Sequence, residues 1–260
     1  MADWTLKVDK VDLAARFGKA AEQYDRHARI QQIIGDHLLS LLPGPNYEVA
    51  LDLGCGTGFF LEKLQTLSQE LIGIDLSTGM LAAAAAKGTL ARLICGDAEQ
   101  LPLATESCDL CFSTLALQWC ASLPDALDEI RRVVRPGGHL ALATLSDGSL
   151  CELRQAWRRV DTLDHVNPFI GEASLIQLCE GHGFHAVTWQ RRRHVLHYPT
   201  LRELLNSLKG IGANQVTGLR ATGLGGRNRL FELQQAYESQ RDYTGLLPLS
   251  YEVCYGVLTR

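Results

Sequence analysis

The sequence predicts an α/β chain: a mostly parallel, doubly wound, seven-stranded sheet with helices on both faces and a helical lid. Three observations predict it. From residue 46 onward, apolar strand-like runs alternate with segments of helical spacing, the pattern of a parallel sheet. A glycine turn, "LDLGCGTGFF" at 51–60, joins the first such run to a helical segment, and a turn in that place lets backbone approach a ligand closely. Two further strand-like runs appear after a long helical stretch, so the chain closes with more sheet.

Taken in order, residues 1–45 read as an N-terminal helical cap. "VDLAARFGKAAEQYDRHARIQQIIGDHLLSLL" spaces its apolar residues helically, and Pro43-Gly44-Pro45 ends it. Residues 46–148 form the ligand-binding α/β core. Its strands are "EVALDLG", "ELIGIDLS", "ARLICGDA", "CDLCFSTL" and "HLALATL"; its helices are "FFLEKLQTLSQ", "GMLAAAAAK" and "LPDALDEIRRVV". Residues 149–182 read as a helical insertion, clearest at "LCELRQAWRRVD". Residues 183–198 hold a sixth strand, "FHAVTWQRRRHVL", with Arg191, Arg192 and Arg193 at its end. Residues 199–245 read as a helical lid. It opens with "PTLRELLNSLKGIG", where Thr200 and Glu203 have capping-box spacing, and continues into a glycine-rich stretch, "TGLRATGLGGRN", expected to be mobile. Residues 246–260, with "LSYEVCYGVLTR", give the final strand.

Composition narrows the class. A chain of 260 residues, 46% hydrophobic and 21% charged, suits one α/β domain with insertions. The N-terminal stretch has no apolar core of signal-peptide length, and no window is long and apolar enough to span a bilayer. A soluble, cytoplasmic protein with no membrane partner is expected. The eight cysteines are scattered, with one C-x-x-C at 108–111. A zinc or redox pair is the sharp reading. Strand residues three apart point to opposite faces and no second pair completes a site, so buried reduced thiols and no metal are expected. The net charge of −4 divides into −7 over 1–150 and +3 over 151–260. That balance argues against strong nucleic-acid binding and permits an acidic partner on the C-terminal side.

The glycine turn selects between two ligand classes. Dinucleotide sites use G-x-G-x-x-G, but the residue three after Gly56 is Phe59. Gly54, Gly56 and Gly58 instead give G-x-G-x-G, with Asp52 two residues before. That order resembles the nucleotide loop of Rossmann-like methyltransferases and favours S-adenosylmethionine over a nicotinamide. Asp75 ends the second strand, where a carboxylate can accept from both ribose hydroxyls; the alternative, a helix N-terminal charge, is weakened because Ser77 is the better cap. Leu76 and Met80 lie just beyond, and Met80 is equally suited to adenine packing or to ordinary core. Asp97 and Ala98 in "GDAEQLPL" are candidates for the adenine edge, against a plain Gly96-Asp97 turn. With Ser113 and "RPGG" at 135–138, these residues fall in one consistent order.

Three further segments are narrower: "RFGKAAEQYDRHARIQ" (16–31), "STLALQWC" (113–120) and "LRELLNSLKGIGAN" (201–214). With "RVVRPGGHLALATLSDGSLCELRQAW" and "LPLSYEVCYGVL", they resemble the malonyl-[acyl-carrier-protein] O-methyltransferases of biotin synthesis over nearly the whole chain. Thr114 departs from that pattern, where Asn is common, so the cofactor contact at 114 is the detail in question. The resemblance implies a Rossmann-like methyltransferase fold, S-adenosyl-L-methionine as methyl donor, and malonyl on acyl carrier protein as acceptor, with malonyl-coenzyme A as an alternative carrier. It implies a methyl ester that lets fatty-acid synthesis elongate malonyl toward pimeloyl.

That chemistry needs no general base, since a malonyl carboxylate ionises with a pKa of about 3–4. The candidates are therefore positioning groups. Tyr24 suits the cofactor's methionine end or the acceptor, or plain helix packing; Gln31, two turns on, shares its face. Gln118 and Trp119 follow the fourth strand, and Trp119 can wall off the transfer site or anchor core. Phe17 reads as packing and His27 as structural or solvated. Lys209 is the cation considered for the malonyl carboxylate, against simple placement at a helix C-terminus. Arg154, Arg158 and Arg159, and Arg191 to Arg193, are candidates for an acidic carrier, against solvated surface. Three other functions stay open at this point. They are a methyltransferase of another small carboxylic acid or ubiquinone-type precursor, a cofactor-binding regulator without turnover, and a nicotinamide dehydrogenase.

Overall fold

The site is positioned by a reversal in the sheet. In the computed structural model, which describes residues 8–211 and 224–260, seven strands run in the order β3-β2-β1-β4-β5-β7-β6. They are β1 Tyr47–Leu53, β2 Ser68–Asp75, β3 Arg92–Cys95, β4 Cys108–Thr114, β5 Val134–Leu145, β6 His185–Tyr198 and β7 Leu247–Thr259. The first five pair in parallel; β7 enters antiparallel between β5 and β6. Winding proceeds outward from β1 to β3, then returns to place β4 on β1's other side. The carboxyl ends of β1 and β4 therefore diverge at a switch point, where α/β sheets bind ligands.

The helices among the described residues are α1 Lys10–His27, α2 Arg29–Ser40, α3 Leu61–Gln65, α4 Thr78–Ala86, α5 Leu123–Val133, α6 Cys151–Arg158, α7 Glu172–Gly181, α8 Leu201–Gly210 and α9 Leu224–Glu238. Their starts follow side-chain capping. Asp9 accepts from the backbone of Val11 and Asp12, Ser77 from Met80, and Ser122 from Asp125. The expected Thr200 cap forms, with the Glu203 N–H donating at 3.2 Å. One sheet face is covered by Ile34 and Leu38 of α2, Trp157 of α6, Leu204 of α8 and Tyr237 of α9. The other is covered by Leu127 and Ile130 of α5 and by Leu175 and Cys179 of α7.

The structure corrects several local expectations. The helix after the glycine turn is only five residues, because Leu67 turns back onto Leu64 and Ser68 already belongs to β2. β5 begins at Val134, five residues before the expected "HLALATL", so "RPGG" lies inside the strand. Residues 160–170, expected to be helical, form a loop, pinned where Arg154 donates to the carbonyls of Val166 and Asn167. Arg191 to Arg193 sit in the middle of β6, which runs on to Tyr198. Most of "TGLRATGLGGRN" lies outside the described residues; its last five residues begin α9. The pleat does not separate Cys108 from Cys111. Both pack into one apolar cluster, beside a register shift between Cys108 and Leu110. Both are free thiols, pushed well up in pKa by burial first.

Candidate active site

Three connected cavities lie over the carboxyl ends of β1, β2 and β4. The largest encloses about 790 Å³ of empty space, part of it open to solvent. Its floor is the glycine turn. The N–H groups of Gly54 and Cys55 both donate to the Ile74 carbonyl, at 2.8 and 3.0 Å, which folds the turn back over β2. The glycines serve different needs. Gly56 has φ +55 and borders the cavity, and a Cβ there would meet no protein atom within 4 Å, so the space above it is kept for a ligand. Gly58 has φ +76 and borders none of the three cavities. A Cβ there would stand 2.9 Å from Leu61 and 3.0 Å from Ala84, so its role is to let α4 pack against the turn.

Asp75 stands at the tip of β2. It accepts from Ser77 N–H at 2.7 Å and Gly56 N–H at 2.9 Å. Burial raises its pKa, and those two hydrogen bonds draw it part of the way back. Leu76, Met80 and Ala98 border the same cavity, with Met80 almost fully buried. Asp97 forms the turn with Gln100 and Glu99 that its sequence suggests, and its other carboxylate oxygen pairs with Lys10 of α1. Lys10 also reaches Glu99 at 2.9 Å, and Glu99 accepts from Ala121 N–H. Lys10 carried no signal in the sequence, being 87 residues from its partner.

A second cavity, about 450 Å³, lies behind the turn, bordered by Tyr24, Gln31, Asp52, Gly54, Gly56 and Thr114 among others. Three buried oxygens around it lack any partner among the described residues: Asp52 Oδ2, Thr114 Oγ1 and Gln31 Oε1. Burial first, then the charge of Asp75, pushes the Asp52 carboxyl up to about 8. Orphaned acceptors that converge on one space form a receptor for a hydrogen-bond-donating cation. An α-ammonium fits them, so the residues present suit the amino-acid end of S-adenosylmethionine. Tyr24 borders all three cavities, and burial together with Asp75 and Asp25 holds its hydroxyl protonated as a donor.

The third cavity, about 500 Å³, joins the first at Phe17, Tyr24, Leu115 and Trp119. Phe17 meets Trp119 edge-on, centroids 5.6 Å apart, so these rings form the partition. Leu145, Leu150, Phe169, Leu208 and Ile211 wall this chamber. Gln118 borders it too, its amide donating to the Leu115 carbonyl and accepting from Thr144.

Some candidates stand apart. Ser113 is buried beneath the site and donates to the Leu53 carbonyl, bracing β4 on β1. Lys209 is exposed and borders none of these cavities. His27 packs its ring against Gly210, where a Cβ would stand 2.4 Å away. Arg191 and Arg193 are committed to Glu252, and Arg191 to Asp147 as well. Arg159 donates to Ala236 and Ser239 of the lid. Among the described residues, no three His, Cys, Asp or Glu side chains converge as a metal site.

A methyltransferase-domain family model matches residues 51–142, the stretch that holds the glycine turn, Asp75 and Asp97. Fold, turn and match together define an S-adenosylmethionine-dependent methyltransferase. Solved structures agree on the fold: the protein BH2331 of Bacillus halodurans aligns with a TM-score of 0.63 at 16% identity, covering 86% of this chain and 97% of that one. The [4+2]-cyclase SpnF aligns at 0.57 and 18% identity, over 88% of this chain and 80% of that one, so the fold alone does not fix the chemistry. Sequence relatives are narrower. The malonyl-[acyl-carrier protein] O-methyltransferase of Pectobacterium atrosepticum is 41% identical over 98% of this chain and 99% of that protein. The biotin biosynthesis bifunctional protein BioHC of Cellvibrio japonicus is 42% identical over 97% of this chain, which spans only 51% of that protein. The chain belongs to the malonyl-[acyl-carrier protein] O-methyltransferase family.

Proposed function

We propose that this chain transfers the methyl group of S-adenosylmethionine to the free carboxylate of malonyl held as a thioester on acyl carrier protein, capping it for synthesis of biotin's pimeloyl precursor. The observation that carries this is 41% identity along nearly the full length of an enzyme named for that reaction. The joined cavities support it, since a donor cleft meets an apolar chamber across Phe17 and Trp119. Bound S-adenosylmethionine supplies a methyl group already activated on a positively charged sulfur. The chain's own task is then alignment and exclusion of water. In this reading Asp52, with Gly54 and Gly56, receives the amino-acid end, Asp75 the ribose, and Leu76, Met80, Asp97 and Ala98 the adenine. Tyr24 and Trp119 screen the transfer point. No residue acts as general base and no metal takes part. The setting is cytoplasmic, with neither nucleic acid nor membrane as partner.

The test is the intact mass of malonyl-carrier protein after incubation with enzyme and S-adenosylmethionine, with malonyl-coenzyme A and free malonate in parallel. One added methyl on the malonyl group, absent from unmalonylated carrier, is the expected result. No added mass, with cofactor binding demonstrated in the same preparation, redirects the activity to another carboxylic acid.

A further inference from the structure

The acceptor chamber offers few free hydrogen-bond donors. Gln118 is spent on Leu115 and Thr144. Tyr251 is hydrogen-bonded to Tyr198. Lys209 follows Leu208, a wall residue, yet its own side chain lies outside on the exposed face of α8. Two described residues border both this chamber and the cavity behind the glycine turn: Tyr24 and Gln31. Gln31 is the one that leaves the main cofactor cleft untouched. Its carbonyl oxygen is buried without a partner on the cavity that holds Asp52, and its amide nitrogen makes no hydrogen bond among the described residues. An amide carries one acceptor end and one donor end, so a residue bordering two cavities can serve a different charge in each.

We infer that Gln31 holds the acceptor carboxylate, its amide N–H groups donating to a carboxylate oxygen in the chamber walled by Leu145, Leu150, Phe169, Leu208 and Ile211. This rests on the carboxyl-methylation reading above and names the residue that recognises the acceptor. A neutral amide suits the chemistry. It orients the anion without neutralising the lone pair that must attack, whereas a guanidinium or ammonium would hold the same anion by weakening it as a nucleophile.

Gln31→Leu and Gln31→Glu test it by calorimetry, using S-adenosylmethionine alone, and malonyl-pantetheine in the presence of S-adenosylhomocysteine. Gln31 Oε1 also faces the ammonium receptor, so Gln31→Leu weakens S-adenosylmethionine binding up to about tenfold, whereas Gln31→Glu keeps an acceptor there and holds it within about threefold. A thermal midpoint raised by saturating S-adenosylhomocysteine reports that both variants fold. Gln31→Leu binds malonyl-pantetheine about 10- to 100-fold more weakly. Gln31→Glu loses it at pH 8 and regains it as pH falls toward about 5.5. Burial and the facing malonyl anion raise the introduced glutamic acid above its ordinary value of about 4.3, so it is protonated and donates again there, while the malonyl carboxylate, with a pKa of about 3–4, stays ionised. A residue that merely packs would not produce that gain. Unchanged malonyl-pantetheine binding by Gln31→Glu at pH 8, or a loss confined to the cofactor, overturns the assignment. Wild-type protein that binds cofactor but no malonyl thioester overturns instead the reading beneath it.

Discussion

Asp52 is held in a conflict between stability and binding. It is 3% exposed, one oxygen has no partner among the described residues, and Asp75 stands close enough to add its charge to the cost of ionisation. Its folded pKa of about 8 lies well above the ordinary aspartate value of about 3.9, so the folded state binds a proton that the unfolded chain has released. Stability of the cofactor-free protein therefore falls as pH rises from about 4 to 8. Cofactor binding runs the other way. An ammonium at this carboxyl requires the proton to leave, so affinity rises from about pH 6 toward 7.5, beyond which the ligand's own amine, near 7.7–8.0, begins to deprotonate. Asp52→Asn separates the two effects. It is expected to melt higher than wild type at pH 8 while losing most cofactor affinity. It should also lose the proton release that calorimetry in buffers of different ionisation enthalpy detects at pH 7. Asparagine with unchanged affinity and unchanged proton release would locate the titrating group elsewhere.

At the scale of elements, α1 is a strap across the cofactor cleft. Lys10 ties its start to Asp97 and Glu99, and Asp25 ties its end to Thr57 and Lys87. Between them Gly18 and Gly79 bring α1 and α4 together so closely that a Cβ on Gly79 would stand 2.7 Å from Gly18. Burial opposes the charge of Lys10, but its bonds to Asp97 and Glu99 outweigh that and raise its pKa, so the ion pair persists at neutral pH. Lys10→Ala removes one end of the strap. Because such a part-exposed pair contributes at most about 1 kcal/mol, the fold should hold. Cofactor release, followed by stopped flow, should speed up about three- to tenfold and lose its dependence on salt. An unchanged release rate would show that α1 does not limit exit.

These ties also mark the limit of what the sequence could tell. The glycine turn, Asp75 and the strand alternation were legible because each is a local pattern imposed by backbone geometry. Lys10 with Asp97, and Asp25 with Thr57, join positions far apart in sequence and leave no periodicity. Lys209 looked like an anion receptor by type and position, yet the apolar stripe of α8 turns it outward. Cys108 and Cys111 were assigned to opposite faces by an ideal pleat that the register shift does not respect.

For the whole molecule, the helices expected to form a lid and the sheet share one core. Ile34 of α2, Trp157 of α6, Leu204 of α8 and Tyr237 of α9 belong to the same buried cluster as Ala50 of β1, Phe112 of β4 and Tyr255 of β7. The order of elements was readable from helical and strand spacing. That α2 of the cap, α6 of the insertion and the helices after residue 199 converge on one face, while α7 packs on the other, was not, because spacing gives each helix an apolar side but no partner. A sheet face covered jointly by segments from both ends of the chain cannot stay dry if those segments leave, so lid and core should unfold together. Far-ultraviolet dichroism and tryptophan fluorescence are expected to report one coincident denaturation transition. Cofactor at 100 times its dissociation constant adds about 2.7 kcal/mol, which moves the thermal midpoint by roughly 5–10 °C for a chain of this size. Separate transitions, or a cofactor shift seen by one probe alone, would mean that the lid folds as its own unit and that the strap and chamber assemble only after it docks.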